Sequence, residues 1–268
     1  MKIHPTAIVH PKAKLADDVE VGPFCLIGEH VTIGQGTRLL SHVTVDGWTD
    51  IGERNELHPF ASIGGPPQHL GYKGEPTKVV IGDDNILREY VTVNRATAQG
   101  GGVTSIANKN FLMAYVHVAH DCRLGSHLIL ANAATFAGHI TIGDHAIIGG
   151  LTGIHQYVRV GAYAMVGGCC AIGQDVPPFM RAAGGYRALL YGLNSVGLRR
   201  HGFSGERIAV LKKAYDLLFR SGHKIAEAVR LAKEEFKDQA DVAQVLAFME
   251  GTKRGISRSV SKEQEAEE

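Results

Sequence analysis

Four histidines in the middle of the chain have the residue type and the spacing to do acid–base chemistry. They are His117, His120, His139 and His155, and Asp121 directly follows His120. An imidazole titrates close to neutral pH and can take a proton from an attacking hydroxyl group, while an adjacent carboxylate can fix the tautomer of the ring. The cluster therefore indicates a general-base centre, although any one of these histidines alone could be an ordinary surface side chain.

The cysteines offer no comparable centre. Cys25, Cys122, Cys169 and Cys170 have neither C-x-x-C spacing nor the Cys/His spacing of a zinc site. In a reducing compartment they are predicted to be small buried side chains, and no metal site is predicted.

The element that must position the histidines is written in a repeat of six residues. Every sixth residue is apolar over 3–63, over 81–93 and, after a shift of one residue, over 106–172. A period of six fits neither an α-helix nor a plain alternating strand. It predicts two-residue inward faces on short strands, separated by corners where glycine supplies the turn conformation. Such a chain coils into a β-solenoid around a narrow apolar column.

This repeat resembles that of the hexapeptide-repeat acyltransferases. The resemblance implies a mainly β fold, a left-handed parallel β-helix with three hexads per coil, followed by a small α-helical domain. We expect the β-helix over 1–185, with loops at 64–80 and 94–105, helices over 186–252, and a polar, disordered tail over 253–268. Within the helical part, Ser204 is the expected N-cap of the first helix, and further helices are expected at 222–237 and 240–250.

Longer motifs narrow the resemblance to one branch of these enzymes. The segments 74–97, 117–158, 166–178 and 192–204 are similar to the acyl-carrier-protein-dependent UDP-N-acetylglucosamine 3-O-acyltransferases of lipid A biosynthesis. With coils of 18 residues, separations of 19 and 16 residues place His120, His139 and His155 above one another along one edge. The resemblance thus agrees with a wall of histidines at an active site.

The resemblance also implies roles for individual residues. His120 corresponds to the general base, Asp121 to its support, and the backbone amide of Gly138 to the donor that stabilises the oxyanion of the thioester carbonyl. The implied substrate-binding residues are His117, His139, His155, Gln156, Gln68, Asn194 and Arg200. Gly168 matches the position that limits the length of the acyl chain. Four positions, His69, Gly71, Val196 and His201, depart from the commonest pattern and put the detailed contacts to sugar and phosphate in doubt.

The expected partners follow from the same resemblance and from the charges. The reaction needs no cofactor, because the acyl group arrives on the phosphopantetheine of acyl carrier protein, and the acceptor is UDP-N-acetylglucosamine. Lys and Arg number 28 against 27 Asp and Glu, which argues against nucleic acid as a partner, whereas residues 187–230 carry nine basic and three acidic residues. We expect acidic acyl carrier protein to dock on this basic region.

The remaining expectations concern assembly and location. We expect a homotrimer with the active site between subunits, because a lone β-helix leaves its histidine edge open to water. The first residues lack the apolar core of a signal peptide and no uncharged apolar run is long enough for a membrane segment, so a cytoplasmic location is expected.

Three other functions compete with this interpretation. The N-acyltransferase of the same pathway would carry a large extra N-terminal domain, whereas the hexads begin at Ile3. A coenzyme-A-dependent acetyltransferase of the same fold would not carry these motifs, and a structural or ice-binding solenoid would not carry two long insertions. The acceptor group stays open between a 3-hydroxyl and a 3-amino group.

Overall fold

The computed structural model describes residues 1–260, in which short parallel strands form three sheets. The first sheet consists of Lys2–Ile3, Glu20–Val21, Arg38–Leu39, Glu56–Leu57, Ile86–Leu87, Phe111–Leu112, Ile129–Leu130, Ile147–Ile148, Met165–Val166, Met180–Ala183 and Leu189–Leu193. The second consists of Ile8–Val9, Leu26–Ile27, Thr44–Val45, Ser62–Gly65, Thr92–Asn94, His117–Val118, Thr135–Phe136, Gly153–Ile154 and Ala171–Ile172. The third consists of Lys14–Leu15, Val31–Ile33, Trp48–Ile51, Lys78–Ile81, Val103–Ile106, Arg123–Leu124, Thr141–Ile142 and Arg159–Val160.

The chain visits the three sheets in turn, so that each circuit is one coil of a parallel β-helix. Where no loop intervenes, a residue pairs with the residue 18 positions later, as Ile3 does with Val21 and Leu112 with Leu130. The inward residue of nearly every two-residue strand is apolar and buried, and these side chains form one continuous column. The predicted parallel β-helix of three hexads per coil is therefore confirmed.

The glycines of the repeat have a different role from the one predicted. The left-handed corner conformation is held mostly by other residues, among them Phe24, Asp121 and His139, with φ close to +60°. Gly22, by contrast, is needed because a Cβ there would lie 1.7 Å from a backbone oxygen of the next coil. The glycines that follow the inward residues thus permit close stacking of coils, and they do not supply the turn.

Both predicted insertions leave the β-helix at the corner between the second and third sheets. The first runs from Ser62–Gly65 to Lys78–Ile81, and the second from Thr92–Asn94 to Val103–Ile106. Their strands extend further into the predicted loops than expected, so the irregular parts are 66–77 and 95–102. We call these the first loop and the second loop.

Polar side chains also stack inside the column. Asn55 accepts a hydrogen bond from the backbone amide of Asn85, and Asn85 accepts one from that of Asn110. Asn110 in turn accepts one from the amide of Leu128. Each buried asparagine therefore ties its own coil to the following one.

The helical part begins after an antiparallel pairing of Met180–Ala183 with Leu189–Leu193, so the sheet extends beyond the predicted boundary at 185. Four helices follow, α1 (Ser195–Arg200), α2 (Gly205–Arg220), α3 (Ile225–Glu235) and α4 (Ala240–Glu250). Ser204 caps α2 as predicted, its side chain accepting from the amide of Arg207. The short helix α1 was not predicted, and Ile225, expected to face inward, is half exposed.

The prediction of a disordered tail is wrong for residues 253–260. Ile256 pairs with Asp175 and Ser259 with Leu190, and the side chains of Ser257 and Val260 are buried. The polar composition of the tail concealed these backbone bridges. Residues 261–268 lie outside the described part of the chain.

Two further features bear on the expectations. Within residues 1–260, no helix has the length and apolar character that crossing a membrane requires. Three cysteines are buried as predicted, and burial raises the pKa of Cys122 to about 12, but Cys169 is exposed at a corner.

Candidate active site

The histidine centre lies at the corner between the second and third sheets, where both loops also leave the β-helix. Asp121, His139 and Tyr157 occupy equivalent positions of successive coils, each with φ near +60°. The ring of His139 stacks on that of Tyr157, with centroids 4.4 Å apart. His120 and His155 belong to other columns of the same corner, because separations of 19 and 16 residues miss the 18-residue coil. The predicted single ladder of histidines is therefore wrong, but the shared edge is correct.

His120 and Asp121 form a hydrogen-bonded pair. Nδ1 of His120 lies 2.7 Å from Oδ2 of Asp121. The Asp121 side chain is fully buried, whereas that of His120 keeps 12% of its surface exposed. A carboxylate in this position holds the proton of the ring on Nδ1 and leaves Nε2 free to accept one.

The second loop fixes the Asp121 carboxylate. Thr97 donates to it from its backbone amide, at 3.1 and 3.2 Å, and from its hydroxyl, at 2.8 Å. Gly100 must lack a side chain here, because a Cβ would lie 2.0–2.3 Å from the carboxylate atoms. The hydroxyl of Thr104 accepts a bond from the Asp121 amide at 2.8 Å. None of these three residues was predicted, since neither loop carries a pattern that shows where it folds.

Gly138 lies beneath His120. A Cβ at Gly138 would lie 2.4 Å from Cε1 of the His120 ring, so only glycine allows the ring this position. Within residues 1–260, the Gly138 amide donates to no acceptor. Prolines 23, 59 and 178 occupy the matching position of other corners, which shows that the β-helix does not need this N–H. The amide is therefore available to a ligand.

Two more predicted histidines border the pair. His139 approaches the Asp121 carboxylate with Nε2 3.7 Å from Oδ2, and its ring meets that of His120 edge to face at 5.2 Å. His117 is bonded through Nδ1 to the hydroxyl of Thr92 at 2.7 Å. Burial lowers the pKa of both His117 and His139, so these rings favour the neutral form.

The first loop adds a histidine that was noted only as a departure from the family pattern. The ring of His69 meets that of His120 edge to face at 5.4 Å. Its Nδ1 accepts a bond from the amide of Gly71 at 3.1 Å, so the two departures in this loop contact each other. Gln68, a predicted substrate-binding residue, is exposed beside His69, and His155 and Gln156 are exposed on the same corner.

Three predicted residues lie on other edges of the same chain. Gly168 lies at the corner between the first and second sheets, where a Cβ would meet the backbone oxygen of Gly150 at 3.2 Å. Asn194 caps α1, accepting from the Gly197 amide and donating to the carbonyl of Tyr163, at the corner between the third and first sheets. Arg200 is exposed at the end of α1. One chain therefore does not bring these three residues to His120.

A second group of aromatic and histidine rings lies near Asn194. His145 stacks between His127 and Tyr163, with centroid distances of 4.6 Å to each, and His201 meets His145 edge on at 4.7 Å. Burial lowers the pKa of His145, and the neighbouring histidines add to this effect. The departure His201 is thus packed into this group.

His120, Asp121 and His139 also have the composition of a metal site. Their ligand atoms lie within 4.8 Å of one another. The Asp121 carboxylate is, however, already engaged by Thr97 and His120, and this arrangement suits proton transfer. The prediction that the chain uses no metal stays a prediction.

Comparisons with known proteins agree with this geometry. The family described as "Udp N-acetylglucosamine O-acyltransferase; Domain 2" matches residues 175–257. Over 96% of the chain, the sequence is 55% identical to the acyl-[acyl-carrier-protein]–UDP-N-acetylglucosamine O-acyltransferase of Thermodesulfovibrio yellowstonii, 99% of which is covered. The enzyme of the same name from Syntrophobacter fumaroxidans is 48% identical over 96% of the chain and is covered completely.

A solved structure extends the similarity to three dimensions. LpxA from Acinetobacter baumannii superposes with a TM-score of 0.93 at 44% identity, covering 96% of this chain and 99% of that one. The similarity therefore includes the β-helix and the helical part together.

Proposed function

The chain belongs to the family of acyl-[acyl-carrier-protein]–UDP-N-acetylglucosamine O-acyltransferases and is an O-acyltransferase, and on this premise we propose its reaction in detail. It transfers a 3-hydroxyacyl chain from acyl carrier protein to the 3-hydroxyl of UDP-N-acetylglucosamine, as the first step of lipid A biosynthesis. The observation that carries the mechanism is the His120–Asp121 pair above the unused amide of Gly138.

His120 acts as the general base. The 3-hydroxyl oxygen attacks the thioester carbonyl carbon while its proton passes to Nε2 of His120. Asp121, fixed by Thr97, stabilises the imidazolium that forms. Because the sugar hydroxyl attacks directly, no acyl-enzyme forms.

The Gly138 amide completes the centre. The attack places negative charge on the carbonyl oxygen, and a backbone N–H aimed at that oxygen stabilises the tetrahedral intermediate. Collapse of the intermediate breaks the carbon–sulfur bond, and the phosphopantetheine thiol leaves with the proton from His120. The products are the 3-O-acyl sugar nucleotide and free acyl carrier protein.

The substrate contacts follow the predicted residues. His117, His139, His155, Gln156 and Gln68 lie on the catalytic corner or beside it and are proposed to bind the acceptor. Asn194 and Arg200 are proposed to bind the nucleotide and its phosphates, and Gly168 to leave space for the end of a long acyl chain. These last three require a second subunit, because they lie on other edges of their own chain.

A homotrimer would supply the missing edges. The corner between the first and second sheets carries an exposed ladder of stacked rings, with centroids 4.7–5.0 Å apart: Phe24, His42, Phe60, Tyr90 and Tyr115. An exposed aromatic row of this length favours contact with another copy of the chain. The site would then lie between neighbouring subunits.

The basic region is proposed to dock acyl carrier protein. Among residues 1–260, several of its charges are neutralised, such as Arg207 by Asp241 and Arg230 by Glu227. Arg199, Arg200, Lys212 and Lys213 are exposed and have no ion pair within that range. These four cations form a surface suited to an acidic protein. Use of this donor would place the enzyme in the cytoplasm.

Mass spectrometry of the product tests the proposal. The purified protein is incubated with defined 3-hydroxyacyl-acyl carrier proteins and either UDP-N-acetylglucosamine or its 3-amino analogue. We expect the ester product, with the acyl group on the 3-oxygen. Acylation of the amino analogue alone, or transfer only from coenzyme A thioesters, would reject the proposed reaction.

A further inference from the structure

Arg95 is a buried cation without an acidic partner. Only 7% of its surface is exposed, and within residues 1–260 no carboxylate lies close enough to form an ion pair with it. Burying a guanidinium without a counter-ion is unfavourable unless its N–H groups find other acceptors. The acceptors that Arg95 uses therefore indicate what it is for.

Those acceptors belong to the first loop and its preceding strand. Nη1 of Arg95 donates to the carbonyl of Gly64 at 2.5 Å, and Nη2 donates to the hydroxyl of Tyr72 at 3.0 Å. The guanidinium lies over the rings of Trp48 and Tyr72, 5.5 and 5.9 Å from their centroids. Gly47 leaves room for it, because a Cβ there would lie 1.9 Å from Nη1.

Backbone and neighbouring contacts extend this attachment along the loop. The Arg95 amide donates to the carbonyl of Gly65 at 2.9 Å, and Asn94 Nδ2 donates to the carbonyl of Pro66, also at 2.9 Å. Tyr72 passes the connection onward by donating to the carbonyl of Glu75 at 2.7 Å. The first loop is thus tied to this strand end at its start and at its middle.

The attached loop places His69 against His120. Between the ties at Pro66 and Tyr72, the chain runs through Gln68 and His69, and the His69 ring contacts the ring of the general base. A shift of Tyr72 would therefore move the loop relative to the catalytic corner.

We propose that Arg95 is a positioning residue, which through Tyr72 holds the first loop as a wall against the acceptor sugar. The proposal rests on the proposed function for the identity of the acceptor. Two acceptors in different directions require the planar fork of a guanidinium, so lysine cannot replace it. Arg95 itself touches neither substrate.

Two variants test this, Tyr72→Phe and Arg95→Lys, with Tyr186→Phe as the control because Tyr186 is almost fully exposed and lies outside the site. Tyr72→Phe keeps the ring and removes only the hydroxyl. We expect KM for UDP-N-acetylglucosamine to rise five- to tenfold in Tyr72→Phe and further in Arg95→Lys, with kcat and KM for the acyl donor within twofold of wild type. The double variant should resemble Arg95→Lys, because both changes break the same connection.

Hydrogen exchange provides a readout independent of activity. Amides of 66–77 should exchange at least tenfold faster in Tyr72→Phe than in the wild type or the control. Unchanged exchange, or an unchanged acceptor KM in a protein that turns over, would overturn the proposal. If wild-type protein did not acylate UDP-N-acetylglucosamine, the proposed function would fail, and exchange in 66–77 would still decide the role of Arg95.

Discussion

The change Thr97→Val tests whether the second loop serves catalysis. Valine keeps the shape of threonine but removes the hydroxyl that donates to the buried Asp121 carboxylate at 2.8 Å. It also removes the acceptor of the Gly100 amide, 3.1 Å away. The backbone amide of residue 97 still reaches the carboxylate, so Asp121 keeps part of its support.

The magnitude follows from the type of bond that is lost. A hydrogen bond to a charged group contributes about 1.5–3 kcal/mol. If this energy were fully expressed in the transition state, where Asp121 faces an imidazolium, kcat would fall by about 10- to 150-fold, since each 1.36 kcal/mol is a factor of ten. We expect a loss near the lower end, with both KM values unchanged.

Steady-state kinetics with saturating donor and acceptor measure this loss. Thr97→Ser restores a hydroxyl and should recover most of kcat, whereas Thr141→Val, at an exposed strand position, should match the wild type. Thermal unfolding of all three variants controls for loss of folded protein. A Thr97→Val enzyme with wild-type kcat would refute the reasoning, as would a Thr97→Ser enzyme no better than Thr97→Val.

Three further predictions concern other parts of the site. His120→Ala should lower kcat about 10²–10⁴-fold without changing the melting temperature; near-normal turnover in this variant, with activity abolished in His139→Ala, would mean that His120 is not the base. Gly168→Met should shift preference toward shorter 3-hydroxyacyl donors, because four buried methylenes are worth about 3 kcal/mol, and kcat/KM for short and long donors measures the ratio, which would stay constant if Gly168 served only the corner. Burial lowers the pKa of His145 in the folded state, so the unfolded chain binds more protons below its ordinary value of 6.5, and the free energy of unfolding should fall as pH drops from 7 to 5. Urea denaturation across this range should show a weaker pH dependence in His145→Gln, and identical slopes would contradict the assignment.

The β-helix could be predicted because its determinants are local and repeated. Each hexad places an apolar residue in the column, and the repetition makes the pattern visible without any knowledge of distant contacts. The positions of His120 and Asp121 on one corner followed from the same arithmetic. The column assignment of His139 and His155 failed because being on the right corner requires only approximate spacing, whereas stacking requires an exact multiple of 18.

The missed features depend on contacts that no short pattern encodes. Thr97, Gly100 and His69 reach the site only because the two loops fold back over their shared corner. The glycines were misjudged for a related reason, since a clash with the next coil is a contact between residues far apart in sequence. In the same way, the backbone bridges of Ile256 and Ser259 hold a segment whose composition alone indicated disorder.

The two ends of the stack of coils differ, and this gives the molecule a direction of unfolding. The last coils are covered by the antiparallel strands and by the bridges of the tail, whereas the first coil exposes Ile3 and Ile8, with 41% and 68% of their surfaces accessible. In a solenoid each coil is stabilised mainly by its two neighbours, so a coil with one neighbour opens most easily. Amide exchange should therefore show a gradient, fastest at the first coil and slower along the chain. Opening from the first coil would leave the catalytic corner intact through many fluctuations, because about five coils separate it from that end.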